Sequence, residues 1–146
     1  MKSARMVVLL AVSVAVVCVA GGCATLGGGA SDENMLGELL QTYKTGMEAG
    51  DAEAVIALYS ENYESARGGT YEEMVERMRQ YIPRMAERDI ELGVAEAEIQ
   101  IDGDTARVGP IVSEGRRGTM RRTLLCTKEE DGRWRITGSE RERSEE

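Results

Sequence analysis

The sequence contains no histidine and no phenylalanine, and it has three cysteines and two prolines among its 146 residues. Histidine is the usual proton carrier near neutral pH and the commonest ligand of transition metals, so its absence argues against both roles. The acidic residues show no EF-hand spacing. We therefore expect no metal site and no cofactor. Without phenylalanine, the five tyrosines and the single tryptophan must supply the aromatic part of any core.

Basic residues are also in the minority. The chain has 18 lysines and arginines against 26 aspartates and glutamates, for a formal net charge of −8. An acidic surface repels phosphate backbones, which disfavours nucleic acid as a partner. One segment departs from this balance: GRRGTMRR, residues 115–122, concentrates arginines beside a predicted hairpin loop. Such a patch could touch anionic headgroups, and the alternative is a soluble turn paired with nearby glutamates.

The N-terminal residues are typical of an export signal. Lys2 and Arg5 precede an uncharged, mostly apolar segment, residues 6–20, which is shorter than the roughly 20 apolar residues of a membrane-spanning helix. Small residues then lead to Cys23, an arrangement that resembles a bacterial lipobox. This resemblance implies a signal peptide over residues 1–22 and a diacylglycerol on the Cys23 thiol, with further acylation (palmitate) at the new amine. The alternative is an ordinary signal peptide in which Cys23 is incidental.

Two or three acyl chains hold a protein stably at a bilayer. We therefore expect a lipoprotein that is exported and lipid-anchored to the cell envelope through a membrane anchor at Cys23. Ala24 stands where an aspartate would retain many lipoproteins at the inner membrane, which favours the outer membrane, facing the periplasm, if the source has two membranes. Cys126 would then be the only free thiol, and we interpret it as a small buried hydrophobe.

The residues after Cys23 divide into a tether, a domain and a tail. Residues 23–33, with a glycine-rich stretch, are predicted to form a flexible tether, residues 34–141 a single domain, and residues 142–146 a charged tail. A helical period predicts a first helix that starts near Asp32, capped by Ser31 or Asp32, and ends at Gly50.

Two further helices are predicted. Asp51 is placed to cap a short one whose apolar residues point inward, and Thr70 and Glu73 have capping-box spacing at the start of a third. The third should kink or end at Pro83. The inward residues expected are Val55, Ile56 and Tyr59 in the second helix and Tyr71, Met74, Val75, Met78, Tyr81, Ile82 and Met85 in the third.

Downstream, the period changes to two, which predicts an antiparallel meander and so an α+β domain. The first strand runs from Ala95 to Ile101, and the turn Asp102-Gly103-Asp104 joins it to a second. Ala106, Val108 and Val112 form the second strand, and the last two strands run Thr119–Lys128 and Arg133–Gly138.

Three stretches resemble nuclear transport factor 2-like and SnoaL-like domains: EAGDAEAVIALYSENY, IDGDTARVGPIV and KEEDGRWRI. The match would cover roughly Asn34 to Arg141. The resemblance implies N-terminal helices packed in a strongly curved antiparallel sheet, a cone-shaped, cystatin-like α+β roll. Because this fold hosts isomerases, cyclases and dehydratases as well as ligand-binding and adaptor domains, function has to be argued from the site.

Enzymes with this fold place an aspartate in the cone, often with histidine or tyrosine. In this chain the aspartates fall at predicted caps, turns and helix ends, and Glu96 and Glu98 alternate with the apolar face of a strand. We therefore predict no catalytic residue. The alternative is a small isomerase, cyclase or dehydratase that uses a carboxylate and a tyrosine in the cone.

The second hypothesis is a binding domain that takes a small apolar or amphipathic ligand, or a protein partner, which includes a second copy as a homodimer. Aromatic side chains could line the cone and orient a ligand, although the same rings could simply fill the core. Arg122 shares strand parity with Leu124, so it is predicted to point inward and to meet an anionic group; the alternative is a rim arginine in water. The predicted ligand-binding residues are Tyr43, Tyr59, Tyr63, Tyr81, Arg122 and Trp134.

Overall fold

A computed structural model of the chain describes residues 28–65, 68–115 and 118–143. The predicted signal peptide, Cys23 and the arginines at positions 116 and 117 lie outside the described residues. The described part contains three helices and five strands. In chain order they are α1 (Gly28–Ala49), α2 (Ala52–Ile56), α3 (Tyr71–Ala86), β1 (Leu92–Gly93), β2 (Glu98–Asp102), β3 (Thr105–Gly115), β4 (Gly118–Lys128) and β5 (Trp134–Arg143).

Helix α1 begins at Gly28, earlier than the predicted start at Asp32, so residues 28–33 of the predicted tether are helical. Neither predicted cap residue caps the helix. The Ser31 hydroxyl lies 4.0 Å from the sulfur of Met35. Asp32 is buried against the sheet, where it finds hydrogen-bond donors that a cap position would not offer. No helix in the described ranges is long and apolar enough to cross a membrane.

The two shorter helices start where the sequence predicts. The Asp51 side chain accepts a hydrogen bond from the Ala54 amide at 3.0 Å, and the capping box between Thr70 and Glu73 is complete. Of the two alternatives predicted at Pro83, an end of α3 there is wrong, because the helix continues to Ala86. A proline removes only its own amide from the ladder, and its carbonyl still accepts from the Glu87 amide at 3.2 Å.

The sheet is antiparallel throughout, with the order β1-β3-β4-β5, and β2 pairs with the other half of the same edge of β3. Helix α1 contacts both β2 and β5, although β3 and β4 lie between those strands. A helix can touch both only if the sheet curves around it. The predicted α+β fold, with helices against one face of a curved antiparallel sheet, is therefore confirmed.

The strand bounds differ from the predictions at both ends of the sheet. Ala95 lies in a turn before β2 instead of starting a strand, and the two-residue strand β1 was not predicted. At the other end, β5 continues to Arg143, which pairs with Met120, so residues 142–143 of the predicted tail belong to the sheet. The predicted hairpin turn at Gly103 and Asp104 is confirmed, since Asp102 pairs with Thr105.

A bulge in β3 changes which residue faces the helices. The register with β4 shifts between Val108 and Ile111, so Ile111 is buried beside Val108 while Val112 is only partly buried. Gly109 is required at this bulge because a Cβ there would lie 2.9 Å from the Arg122 carbonyl oxygen. The shift pairs Ile111 directly with Arg122.

The space between helices and sheet is filled by side chains. Leu36 of α1 packs with Val108, Leu124 and Ile136 of three neighbouring strands, and each of the four is 0% exposed. Cys126 is buried in the same cluster, as predicted, and burial raises the pKa of its thiol to about 12. Such a thiol is a poor nucleophile at neutral pH.

Candidate ligand site at Arg122

Arg122 lies on the concave face of β4, the face that packs against the helices. Its Nη1 donates a hydrogen bond to the Tyr43 hydroxyl at 3.0 Å. Tyr43 comes from the middle of α1, where the helical period turns it toward the sheet and leaves it 2% exposed. The inward orientation predicted for Arg122 from strand parity therefore agrees with this contact.

A second tyrosine reaches the same place from α2. Tyr59 follows that helix, and its neighbours are tied to β5: the Ile136 amide donates to the Leu58 carbonyl at 2.8 Å, and the Ser60 amide donates to the Ile136 carbonyl at 2.9 Å. Tyr59 is 4% exposed. Burial, with smaller contributions from its neighbours, raises the pKa of Tyr59 well above the ordinary value, so its phenol stays neutral.

Arg122 differs from the other partly buried basic residues in the described ranges. Within those ranges no carboxylate oxygen lies within 4.0 Å of Arg122. The other partly buried basic residues, Lys44, Lys128 and Arg135, each pair with a carboxylate. Desolvation acts to lower the pKa of Arg122, but the phenols of Tyr43, Tyr59 and Tyr81 outweigh it and the pKa is raised. The guanidinium is therefore a fixed positive charge.

The remaining predicted site residues are divided by the structure. Tyr63 is partly buried and meets the Tyr59 ring edge-on, with ring centres 5.2 Å apart. Tyr81 is 45% exposed, so its predicted inward position is wrong, although it acts electrostatically on Arg122. Met120, two residues from Arg122 on the same face of β4, is 40% exposed. Tyr81 and Met120 therefore give this end of the sheet an exposed apolar rim.

Trp134 does not join this group. It is 5% exposed, and its Nε1 donates a hydrogen bond to Asp32 at 3.1 Å. The same Asp32 oxygen accepts from Lys128 at 2.8 Å. The hydrogen bond from Lys128, followed by that from Trp134, holds the pKa of Asp32 below its ordinary value.

Asp32 is the one acidic residue that is buried among the described residues, and the sequence-based prediction treated it only as a cap. One signal could have found it: Asp32 stands four residues before Leu36 and so extends the apolar stripe of α1 by one turn. An aspartate in such a stripe needs a donor from the packed partner. The predicted exposed positions of Glu96 and Glu98 are confirmed.

Two surface depressions occur on the outer faces of the helices. One, of about 580 Å³, lies along α3, and the other, of about 310 Å³, lies between α1 and α2. Neither is lined by Arg122 or by any of the predicted aromatic site residues. Within the described ranges no three acidic or cysteine side chains come close enough to hold a metal ion. The group of Arg122, Tyr43, Tyr59, Tyr81 and Met120, called the Arg122 site below, is therefore the chemically distinctive place.

Several solved structures have the same architecture as this chain. The chain is similar to a ketosteroid isomerase candidate from Shewanella frigidimarina, with 21% identity and a TM-score of 0.59 over 74% of this chain and 94% of that one. It is similar to a nuclear transport factor 2-like protein of unknown function from Pseudomonas putida, with 13% identity and a TM-score of 0.64 over 80% and 89%. A protein with a cystatin-like fold from Caulobacter vibrioides gives 16% identity and a TM-score of 0.58 over 76% and 88%.

No family model matches the sequence, and no curated protein matches it. At these identities the structural likeness establishes the fold alone. The chain therefore has the α+β fold of the nuclear transport factor 2-like and cystatin-like proteins, a fold that is found among isomerase and dehydratase candidates and among proteins of unknown function.

Proposed function

We propose that this protein is a lipid-anchored protein of the bacterial cell envelope whose domain binds a small amphipathic anion at the Arg122 site and performs no chemistry on it. The observation that carries the binding proposal is a partly buried arginine that has no carboxylate partner in the described part of the chain. The anchoring proposal rests on the sequence before residue 24.

Burying an unpaired charge is unfavourable, and removing one partner of a buried pair typically costs about 3–5 kcal/mol. Hydroxyl groups offset part of this for Arg122, since Tyr43 accepts one of its N–H groups. A guanidinium has five donors, so most of its hydrogen-bonding capacity remains for a ligand. An oxyanion would supply both the missing charge and the missing acceptors.

The rim supports an amphipathic ligand. Tyr81 and Met120 are two of the three large hydrophobic residues exposed in the described ranges. An apolar chain attached to the anionic group could cover them, and each buried methylene contributes about 0.8 kcal/mol. The interior of the cone is occupied by core residues, so this proposal places the ligand at the mouth.

A non-catalytic role is supported by the state of the buried carboxylate. A general base in a dry cone needs a pKa raised toward neutrality. The pKa of Asp32 is instead lowered, because Lys128 and Trp134 stabilise the carboxylate form. Both of its donors come from the sheet, and Lys128 lies six residues along β4 from Arg122.

The binding proposal can be tested by calorimetry with two six-carbon probes, hexyl phosphate and the uncharged hexanol. The natively expressed protein, held in a neutral maltoside detergent, should bind hexyl phosphate and not hexanol. Arg122→Met should weaken hexyl phosphate at least about tenfold, since hydrogen bonds to charged groups contribute roughly 1.5–3 kcal/mol. Arg107→Met is the matched control, because Arg107 lies exposed on the outer face of the same sheet and pairs with Glu140. Equal affinity in wild type and Arg122→Met would refute the proposal.

The anchor can be tested separately by intact-mass analysis of the natively expressed protein. We expect a chain that starts at Cys23 and carries the added mass of acyl chains, and a Cys23→Ser variant that lacks that mass. An unmodified Cys23, or a chain that keeps residues 1–22, would contradict the envelope anchor without affecting the binding proposal.

A further inference from the structure

A second arginine lies directly across from Arg122. In the register of β4 with β5, Arg122 pairs with Arg141, and on its other side Arg122 pairs with Ile111 of β3. Directly paired residues of an antiparallel sheet point to the same face, with Cβ atoms about 4.5–5.5 Å apart. Arg141 is exposed and, like Arg122, has no carboxylate within 4.0 Å in the described ranges.

The outer face of the same strands shows the contrasting arrangement. Arg121 pairs in register with Glu142 and lies 3.6 Å from Glu96. Arg107 makes an ion pair of 2.6 Å with Glu140. On the outer face, then, each arginine meets an acid, while on the concave face an arginine meets an arginine. Like charges placed directly opposite destabilise a sheet, so an anion bound between Arg122 and Arg141 would stabilise the pair.

We propose that Arg122 and Arg141 form a clamp for the phosphate group of an amphipathic phosphate monoester. This inference rests on the proposed function and names the class of anion that the Arg122 site takes. A phosphate monoester carries close to two negative charges at neutral pH and has three acceptor oxygens. Two guanidinium groups, each with a planar fork of donors, match two charges and several oxygens, whereas a carboxylate has one charge.

The apolar rim selects an ester over free phosphate. Met120 lies two residues before Arg122 on the same face of β4 and is 40% exposed. An alkyl group that leaves the clamp toward solvent could cover this side chain. Inorganic phosphate has the same charged chemistry but nothing to cover the rim.

The experiment compares three soluble probes at pH 7.5 by calorimetry: hexyl phosphate, hexanoate and inorganic phosphate. The natively expressed protein in maltoside should bind hexyl phosphate at least about tenfold more tightly than hexanoate, in line with one additional charge-assisted contact. It should also bind hexyl phosphate more tightly than inorganic phosphate, which has no alkyl chain to cover the rim. Arg141→Met should bring hexyl phosphate down to the affinity of hexanoate, and Arg141→Lys should fall between. Arg121→Met, one residue from Arg122 and on the outer face, should change nothing.

A measurement without ligand supports the same clamp. Because the two arginines repel each other, Arg141→Met should melt at a higher temperature than wild type in phosphate-free buffer, and added hexyl phosphate should stabilise wild type more than the variant. If Arg141→Met binds hexyl phosphate like wild type while Arg122→Met does not, the clamp is overturned and the proposed function stands. If wild type binds no hexyl phosphate, both fall. Equal affinity of the wild type for hexyl phosphate and inorganic phosphate would contradict the preference for an ester.

Discussion

Two polar clusters lie between the helices and the sheet, and they differ in the balance of their charges. At one end of β4, Asp32 of α1 meets Lys128 and Trp134, so an acid is matched by a cation and a second donor. Near the middle of the same strand, Arg122 meets Tyr43 and a second arginine across the sheet, and no acid within the described ranges. The first cluster is electrostatically complete and the second is not.

The difference separates a structural role from a binding role. A matched cluster fixes the start of α1 on the sheet and leaves nothing for a ligand to supply. An unmatched charge lowers the stability of the protein without ligand, and an anion that binds to it raises that stability. Sites of this kind trade stability for function. The same strand therefore carries a structural contact at its last residue, Lys128, and the proposed ligand site near its middle.

The largest effect on stability should come from removing the Trp134 ring from the Asp32 cluster. Trp134→Ala should lower the free energy of unfolding by about 3–5 kcal/mol, because a buried aromatic side chain is lost and a cavity remains. Trp134→Phe keeps most of the ring but not the donor to Asp32, and should cost less. Chemical denaturation measures both. Tyr81→Ala is the control in the Arg122 site, and a loss as large as that of Trp134→Ala would contradict the rim position of Tyr81.

A smaller effect should distinguish the two clusters by the sign of the change in the free energy of unfolding. Lys128→Met removes the cation that Asp32 needs and should destabilise the protein. Arg122→Met removes a charge that has no acid partner and replaces it with a side chain of similar length, so the free energy of unfolding should stay within about 1 kcal/mol of wild type or rise. Thermal melts of the two variants in phosphate-free buffer make the comparison. A loss of stability in Arg122→Met that equals the loss in Lys128→Met would show that both clusters are structural.

The smallest effect is a difference in pH dependence. The pKa of Asp32 is lowered in the folded protein, so its carboxylate stabilises the fold above its ordinary value of 3.8, and this contribution is lost as the pH falls through the lowered pKa. Melts of wild type and Asp32→Asn should therefore differ at pH 7 and converge below about pH 4. The Arg122 cluster should add no such pH dependence, because Arg122 stays charged across this range. Parallel curves for wild type and Asp32→Asn would contradict the matched cluster.

Local signals predicted much of the fold correctly. Asp51 and the Thr70–Glu73 box mark helix starts through contacts within a few residues, and Gly103 marks a tight hairpin, so each can be read from neighbouring sequence. Strand alternation likewise placed Arg122 on the concave face. The interior positions of Tyr43 and Tyr59 agree with the alternative that the rings fill the core, since a chain without phenylalanine has few other rings.

The missed features depend on contacts between distant segments. Asp32 and Trp134 lie 102 positions apart, and the sequence around Asp32 does not identify the residues that donate hydrogen bonds to it. The bulge at Gly109 shifts the inward position from Val112 to Ile111, which alternation alone cannot predict. The pairing of Arg122 with Arg141 requires the register of β5, whose end was interpreted as a tail. That register carries the most specific part of the site.

The account depends most on an anion reaching the Arg122 guanidinium. The direct measurement is nuclear magnetic resonance of the arginine side-chain Nε–H signals in ¹⁵N-labelled protein during a hexyl phosphate titration. We expect the signals of Arg122 and Arg141 to shift together and to saturate, while that of Arg107 on the outer face stays in place. Shifts confined to other arginines, or no saturable change at Arg122, would contradict the site.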